Sequence, residues 1–363
     1  MRSPYPEPTV AGNQTIQSAR QALATARAAG NPEREARALL DLGRGYAAAG
    51  LSVEAATAFE SALDVARALG DRELAAQALA NVGSQLHQAG QHDEALELSR
   101  QAVDAFAALG DVRGRLRTLA NCAVIEQRLG SHGAALADVD TALTLSDELG
   151  EPILAVGLLA LRADLCSALG QTAQADSSRR QAVQRARRLG DPTLLARQLE
   201  HLGESLLRTE RYDEALRIYR EAATLHRQEA DVDGQYRVAL QLALVHQLRV
   251  SWAEADVALT ESLALCEQVA DEPRRDYLRA SLASARLELG RYDEAIDLAE
   301  TAAAGYRRVA DPIGEGRALA TLGQALEASG APERARAVWF QALDLLEPID
   351  SSAADAVRGL LTS

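Results

Sequence analysis

Histidine and cysteine, the side chains that most often serve as catalytic bases, nucleophiles and metal ligands, are few and scattered in this chain. Its 363 residues include six histidines and three cysteines. No histidine–cysteine or histidine–acid cluster has the spacing of a metal site, and the hydrolase motif G-x-S-x-G and the metalloprotease motif H-E-x-x-H do not occur. We therefore expect no catalytic residue, no metal site and no cofactor. The side chains concerned are His87, His92, His132, His201, His226, His246, Cys122, Cys166 and Cys266.

All 38 basic residues are arginine, because the sequence contains no lysine. A bias in nucleotide composition accounts for this, since alanine and arginine are both abundant, but the absence still restricts the chemistry. A P-loop needs a lysine on the β- and γ-phosphates, and Schiff-base catalysis needs a lysine amine. Nucleotide hydrolysis by that motif and pyridoxal chemistry are therefore excluded.

The charge and hydropathy of the chain restrict its partners. Its formal net charge is −14, whereas binding to nucleic acid backbones relies on clustered positive charge, so we expect no direct nucleic acid partner. There is no apolar run of about 18 residues, and the N-terminal residues lack the apolar stretch of a signal peptide. Three widely spaced cysteines argue against a disulfide framework. We expect a soluble, cytoplasmic protein with no membrane partner.

Pairs of glycine or alanine with an acidic residue recur every 40 residues, and a second glycine series is offset from them by twenty. A fixed period of this size indicates a repeat array, in which each unit buries its apolar face against its neighbours. Within each period, apolar residues recur at intervals of three and four, as one helix face requires. Each period therefore predicts two helices, with a left-handed glycine ending a helix and aspartate capping the next. The pairs begin at Gly70, Gly110, Gly150, Gly190, Ala230, Ala270 and Ala310.

No linker rich in proline, glycine or serine interrupts this register, which predicts one continuous array. We expect a disordered, proline-containing tail at residues 1–12, a solenoid over residues 13–350 and a capping helix at 351–363. The solenoid begins with a half repeat at residues 13–30. Its eight full repeats are expected at residues 31–70, 71–110, 111–150, 151–190, 191–230, 231–270, 271–310 and 311–350.

Several first helices carry Leu-Gly with an aromatic residue or leucine three positions on, and the second helices carry a small-large-small pattern. Leu42-Gly43-Tyr46 is followed in this way by Ala55-Phe59-Ala62. In these features the chain resembles the tetratricopeptide repeat (TPR) family, in a 40-residue variety. The resemblance implies an all-α fold, a right-handed superhelical solenoid of antiparallel helix pairs that binds proteins or peptides in its concave groove. Further matches are Leu202-Gly203-Leu206 with Ala215-Tyr219-Ala222, and Leu322-Gly323-Leu326 with Ala335-Trp339-Ala342.

The C-terminal end of the chain also resembles the C-terminal TPR arrays of SARP-type and NB-ARC-containing bacterial regulators, in the sequences of residues 334–339, 342–343 and 355–358. This resemblance covers the repeat region only, so it implies a regulatory setting without implying DNA binding or nucleotide switching. Two positions depart from the repeat pattern: Arg162 replaces an apolar residue, and Val250 replaces a turn glycine. There we expect irregular packing. Trp252, beside the second departure, is expected either to fill the turn or to be an exposed contact for a partner.

The resemblance places groove-facing side chains at fixed positions around the glycine of each first helix. Arginines outnumber acids at these positions, which predicts a mildly basic groove on an acidic molecule. Arginine binds carboxylates through paired hydrogen bonds, and Asn81 and Asn121 resemble the family's groove asparagines, which bond the backbone of an extended peptide. We therefore expect a protein or peptide partner, with acidic side chains. The predicted binding residues are Arg37, Asp41, Arg44, Gln77, Asn81, Ser84, His87, Arg117, Asn121, Gln127, Arg128, Arg197, His201, Arg208, Arg237 and Gln241.

Some of these charges have a simpler interpretation as solvated ion pairs within one helix. Arg37 and Arg44 flank Asp41, and Glu204 precedes Arg208 by one helical turn. The sequence thus leaves a ligand groove and a solvated charged face both open. For function, it predicts a non-enzymatic binding scaffold in bacterial regulation. The alternatives are a sensor of a small molecule or signalling peptide that controls a separate effector, and a structural assembly element.

Overall fold

Every regular element in the described chain is an α-helix, as the spacing of apolar residues predicted. A computed structural model describes the backbone of residues 10–268 and 272–362 and the side chains of residues 14–268 and 274–362. Within these ranges there are 18 helices and no strand. None of these helices combines the length and apolar composition that crossing a lipid bilayer requires. The chain divides into two compact units, Met1–Leu189 and Gly190–Ser363, so the single array over residues 13–350 stays a prediction.

In residues 10–189, the described part of the first unit, there are a lone helix and four helix pairs, and each pair occupies one 40-residue period. Consecutive helices pack on each other. Residues 1–9 of the predicted tail lie outside the described residues, and the first helix begins at Val10 rather than at Asn13. The helices are α1 (Val10–Ala28), α2 (Pro32–Ala48), α3 (Ser52–Leu69), α4 (Arg72–Gln88), α5 (His92–Leu109), α6 (Val112–Arg128), α7 (His132–Leu149), α8 (Pro152–Ala168) and α9 (Thr172–Leu189).

The described residues of the second unit form four helix pairs and a final helix. This last helix packs on its two predecessors in the first-helix position and buries Ala354 and Val357. The helices are α10 (Pro192–Arg208), α11 (Tyr212–Gln228), α12 (Val232–Leu248), α13 (Trp252–Gln268), α14 (Glu272–Glu288), α15 (Tyr292–Arg308), α16 (Pro312–Ala328), α17 (Pro332–Leu346) and α18 (Ser351–Thr362).

The turns between helices use the residues that the period predicted. Gly70 and Gly110 end α3 and α5 with φ of 70° and 72°, a left-handed conformation that glycine adopts without steric cost. Asp71 and Asp111 then accept hydrogen bonds from the first backbone N–H groups of α4 and α6. In the second unit, non-glycine residues also take the left-handed conformation, at Glu210, Ala230, Val250 and Ala310.

The glycine of the first helix packs against the large residue of the second helix. A Cβ atom on Gly43 would lie 2.5 Å from the Phe59 ring, and one on Gly203 would lie 2.5 Å from the Tyr219 ring. Both rings are buried. Because no side chain fits between helix and ring, the Leu-Gly signature is a packing requirement.

Specific contacts accommodate the two departures from the repeat pattern. Arg162 donates from Nε to Asp140 at 2.6 Å and from Nη1 to the Ser178 hydroxyl at 2.8 Å. Val250 adopts a φ of 56° in place of glycine. Trp252 is half-buried and packs against the core of the second unit. Of the two interpretations of Trp252, the structure agrees with a residue that fills the irregular turn.

Candidate functional site

Polar side chains of the first helices in the first unit surround a cavity of about 630 Å³. Most of its lining belongs to α4 and α6, the first helices of two successive pairs. One residue each from α2 and α5 completes the lining, together with the residue that caps α6. Six of the predicted binding residues meet in this cavity: Arg44, Gln77, Asn81, Ser84, Arg117 and Asn121.

The cavity also includes residues that the sequence analysis did not select. A Cβ atom on Gly114 would lie 2.5 Å from Asp111 Oδ2 and 2.6 Å from the Phe106 ring. Glycine is therefore required at this position of α6, because the capping aspartate and the ring leave no room for a side chain. Arg113, also in the lining, pairs with Glu151 at 3.1 Å. A sequence signal was present, because Phe106 is a large residue eight positions before a glycine, where three other repeats have a small residue and then leucine.

The polar side chains on the α2 and α4 side of the cavity already use some of their hydrogen-bonding groups within the fold. Arg44 donates to Asp41 at 2.9 Å and to the Gln77 side-chain oxygen at 3.5 Å. Gln77 donates to Glu73 at 3.3 Å. Asn81 donates from Nδ2 to the backbone carbonyl of Gln77 at 2.7 Å. Asn81 therefore keeps its carbonyl oxygen and one N–H for a ligand.

The α6 side of the cavity carries hydrogen-bonding groups without partners. Arg117 and Asn121 are one helical turn apart, lie on the same face of α6 and are exposed. Within the described part of the chain, neither side chain has a hydrogen-bond or ion-pair partner, and neither does Ser84 across the cavity. The lining contains three arginines and one aspartate. This arrangement suits a carboxylate beside a peptide backbone.

The other predicted residues of the first unit lie outside the lining of this cavity. Arg37 pairs with Glu33 at 2.7 Å within α2, whereas Asp41, which the solvated-pair interpretation placed beside it, pairs with Arg44. His87 Nδ1 lies 3.2 Å from His92 Nδ1. Burial lowers the pKa of His87, and electrostatic interaction with His92 and Arg128 lowers it further, so His87 adds no charge at neutral pH. Asp41, Gln127 and Arg128 also lie outside the lining.

In the second unit, Arg237 and Gln241 line a smaller cavity of about 220 Å³ together with Glu200 and Glu204. Arg237 donates from Nε and Nη2 to Glu200, both at 3.1 Å, and this hydrogen bonding raises the pKa of Arg237. His226 Nε2 lies 2.9 Å from the same carboxylate. The Arg237 guanidinium is therefore already paired with an acid of its own unit.

The remaining predicted residues, Arg197, His201 and Arg208, lie outside that smaller cavity. The pair expected between Glu204 and Arg208 does not form. Glu204 instead lies 3.7 Å from His201, and Arg208 has no ion-pair partner among the residues that the structure describes. The long arginine side chain extends into solvent, where pairing one turn along a helix stabilises little.

Three segments of the chain match family models described as tetratricopeptide repeat. One model matches residues 74–148, and a second matches residues 198–233 and 278–313. Among curated protein sequences, none matches this chain.

Solved structures share the arrangement of helices. A signal transduction ATPase with numerous domains (STAND) from Pyrococcus horikoshii, described as having a tetratricopeptide repeat sensor, matches with a TM-score of 0.65 at 13% identity, over 91% of this chain and 54% of that one. The apo form of RapI matches with a TM-score of 0.55 at 12% identity, over 84% of this chain and 98% of that one. Aspartyl phosphate phosphatase F from Bacillus subtilis matches with a TM-score of 0.53 at 11% identity, over 95% of this chain and 96% of that one. The fold is an all-α TPR solenoid. This chain spans about half the length of the STAND protein.

The cavity of the first unit thus lies between the first helices of two successive TPR repeats. Its polar side chains are accessible to a ligand, whereas the cysteine nearest to it is not. Cys122 is buried one residue from Asn121, and burial raises the pKa of its thiol to about 12, which keeps it protonated. Among the described residues, no three histidine, cysteine or acidic side chains come together as a metal site.

Proposed function

We propose that this chain is a non-enzymatic TPR protein that binds an extended acidic segment of a partner protein in the cavity between α4 and α6. The observation that supports this proposal is the pair of unpartnered side chains on α6, Arg117 and Asn121, which face Asn81 and Ser84 across the cavity. Among the residues that the structure describes, neither side chain has a hydrogen-bond partner, so a ligand satisfies both without breaking an existing bond.

Each side chain has a distinct part in binding. The Arg117 guanidinium donates two hydrogen bonds to one carboxylate of the peptide. The Asn121 amide donates to a backbone carbonyl and accepts from a backbone N–H, and the free Asn81 oxygen accepts another. Arg44 and Arg113 already have acidic partners, so they add positive potential rather than specific bonds.

The test begins with selection of random linear peptides, displayed on phage, on the immobilised full chain. We expect enrichment of peptides that contain aspartate or glutamate. A selected peptide, labelled with fluorescein, is then titrated against the double variant Arg117→Gln/Asn121→Ala. Its affinity should fall about 30-fold or more, because a charge-assisted bond and an amide bond are lost. Thermal unfolding should be unchanged, because both side chains are exposed.

The matched control is Arg67→Gln, which removes one exposed arginine from α3, outside the cavity. This variant should bind the selected peptide as the unmodified chain does. Enrichment of neutral or basic peptides only, or equal weakening by Arg67→Gln and by the double variant, would overturn the acidic-peptide assignment.

A sensor is the second candidate function. It is supported by the structural match to the STAND protein, whose TPR part is described as a sensor, over 91% of this chain. The resemblance to SARP-type and NB-ARC regulators adds a bacterial regulatory setting. Hydrogen exchange with and without the selected peptide distinguishes the two functions. A scaffold gains protection in α2, α4 and α6 only, whereas a sensor also changes the exchange of helices that the peptide does not touch.

A further inference from the structure

A second cavity, in the unit Gly190–Ser363, is built at the same repeat positions as the first. Its volume is about 410 Å³, and α14 and α16 take the places of α4 and α6. Eleven of the twelve lining positions of the first cavity recur in it 200 residues later, which is five repeat periods. Five of these positions keep the same residue type, as Ala280, Ser284, Asp311, Gly314 and Arg317.

The same ring-and-glycine contact underlies both cavities. A Cβ atom on Gly314 would lie 2.4 Å from the Tyr306 ring and 2.7 Å from Asp311 Oδ2, as one on Gly114 would meet Phe106 and Asp111. The backbone of α16 therefore approaches the preceding helix as closely as α6 does. Because the construction is shared, differences between the cavities lie in the side chains that line them.

Those side chains give the second cavity a different chemistry. Asp311 and Arg317 are the charged residues in its lining, and Arg317 donates to Asp350 at 2.8 Å, so its guanidinium is already paired. Tyr277 stands where the first cavity has a glutamine, and Ile313 stands where it has Arg113. The positive charge of the first cavity is thus replaced by an aromatic ring and a branched apolar side chain.

The exposed ring of Tyr277 in the second cavity indicates that a ligand covers it. Tyr277 is 51% exposed, although its ring offers a large area for burial. Within the part of the chain that the structure describes, the hydroxyls of Tyr277 and Ser281 have no hydrogen-bond partner. The second cavity therefore combines an uncovered ring with free hydroxyl groups on one side of α14.

We propose that the second cavity is a separate binding site for an uncharged extended peptide segment that carries an aromatic or branched apolar side chain. That side chain packs against Tyr277 and Ile313, and the hydroxyls of Tyr277 and Ser281 hydrogen-bond the peptide backbone. An acidic segment gains nothing here, because Arg317 is paired and Asp311 repels it. This site is independent of the proposed acidic-peptide site, since it uses other residues in the other unit.

The experiment uses the full chain with the first cavity disabled by Arg117→Gln/Asn121→Ala. Random linear peptides displayed on phage are selected on this variant, and enrichment of neutral peptides with aromatic, leucine or isoleucine residues is expected. A fluorescein-labelled selected peptide should lose affinity about tenfold or more on Tyr277→Ala and on Ile313→Asp. Its affinity should change less than about twofold between 50 and 500 mM NaCl, because no ion pair forms.

Two features keep this test informative. Ile313→Asp places an acid in the first turn of α16, where the helix dipole favours it, so the fold is retained. The matched control Val257→Asp changes an equally apolar residue, 67% exposed on α13, and should leave binding unchanged. Absence of enrichment, enrichment of acidic peptides, or binding that survives both Tyr277→Ala and Ile313→Asp would overturn the proposal. None of these outcomes bears on the acidic-peptide site, which is absent from the variant used.

Discussion

Arg117 differs from three other predicted groove arginines, Arg37, Arg44 and Arg237, in what it contacts. Arg37 pairs with Glu33, Arg44 with Asp41 and Arg237 with Glu200, whereas Arg117 has no such partner in the described residues. Exposed pairs of this kind contribute about 0–1 kcal/mol to stability, so they do not fix the fold. They do lower the attraction of those arginines for an external carboxylate.

Replacing Arg117 with lysine tests whether its planar guanidinium binds the carboxylate. Arg117→Lys keeps the positive charge but removes the paired donors, so the affinity for the selected acidic peptide should fall about tenfold. Arg44→Lys is the control, and its effect should stay below about threefold, because Arg44 already has an acidic partner. Fluorescence titration measures both affinities. Equal effects of the two substitutions would show that Arg117 acts only through its charge.

Arg100 holds two buried carboxylates within the first unit. It donates to Glu126 at 2.5 Å and to Asp138 at 2.9 Å. The side chains of Glu126 and Asp138 are 4% and 11% exposed. Burial raises the pKa of Glu126, and the hydrogen bond from Arg100 opposes this rise. The guanidinium is therefore the cationic partner of both buried acids.

Replacing Arg100 with methionine should lower the free energy of unfolding at pH 7 by about 3 kcal/mol, since a buried acid pair loses its counter-ion. The loss should shrink from pH 7 to pH 5. The hydrogen bond and charge of Arg100 lower the pKa of Glu126, so without Arg100 burial raises that pKa further above its unfolded value. Acidification therefore favours the folded variant more than it favours the unmodified folded chain. Urea unfolding at several pH values measures this, with Arg67→Met as the control. A loss that is constant with pH would exclude Glu126 as its origin.

At the scale of helices, a helix-packing glycine and a surface glycine should respond oppositely to the same substitution. Gly43→Ala places a Cβ atom 2.5 Å from the buried Phe59 ring, so α2 and α3 must separate, at a cost of about 1–3 kcal/mol. Gly157→Ala meets nothing within 4 Å in α8 and should stabilise by about 0.5–1 kcal/mol through helix propensity. Urea unfolding of both variants checks the prediction. Destabilisation by both would mean that helix packing is not what requires glycine.

The sequence predicts the helices well because their signals are local. Capping aspartates, left-handed glycines and the Leu-Gly signature each act within one or two turns, and the structure places Asp71 and Gly70 as predicted. The cavity was predicted only in part. Phe106 belongs to a neighbouring helix and Arg113 to the start of α6, so neither occupies one of the fixed positions around the first-helix glycine from which the groove residues were predicted. Pairing of Arg237 with Glu200 depends on how α10 and α12 pack, which the spacing along one helix does not encode.

At the scale of the whole molecule, two cavities of the same construction have different electrostatics. The first is lined by three arginines and one aspartate, and the second by one arginine and one aspartate. The chain as a whole has a net charge of −14. A negative molecule repels an acidic peptide over most of its surface, so attraction must come from the local field of the first cavity. Salt screens both interactions. It therefore weakens the attraction of the peptide to the first cavity and also weakens its repulsion from the rest of the surface.

The dependence of affinity on salt tests the central claim most directly. The selected acidic peptide is titrated against the full chain in 50 and in 500 mM NaCl, where the Debye length falls from roughly 14 Å to roughly 4 Å. If Arg117 pairs with a carboxylate in the first cavity, the affinity should fall about fivefold or more, and Arg117→Gln should remove most of that dependence. An affinity that is unchanged or tighter in 500 mM NaCl would contradict binding of acidic peptides by this cavity.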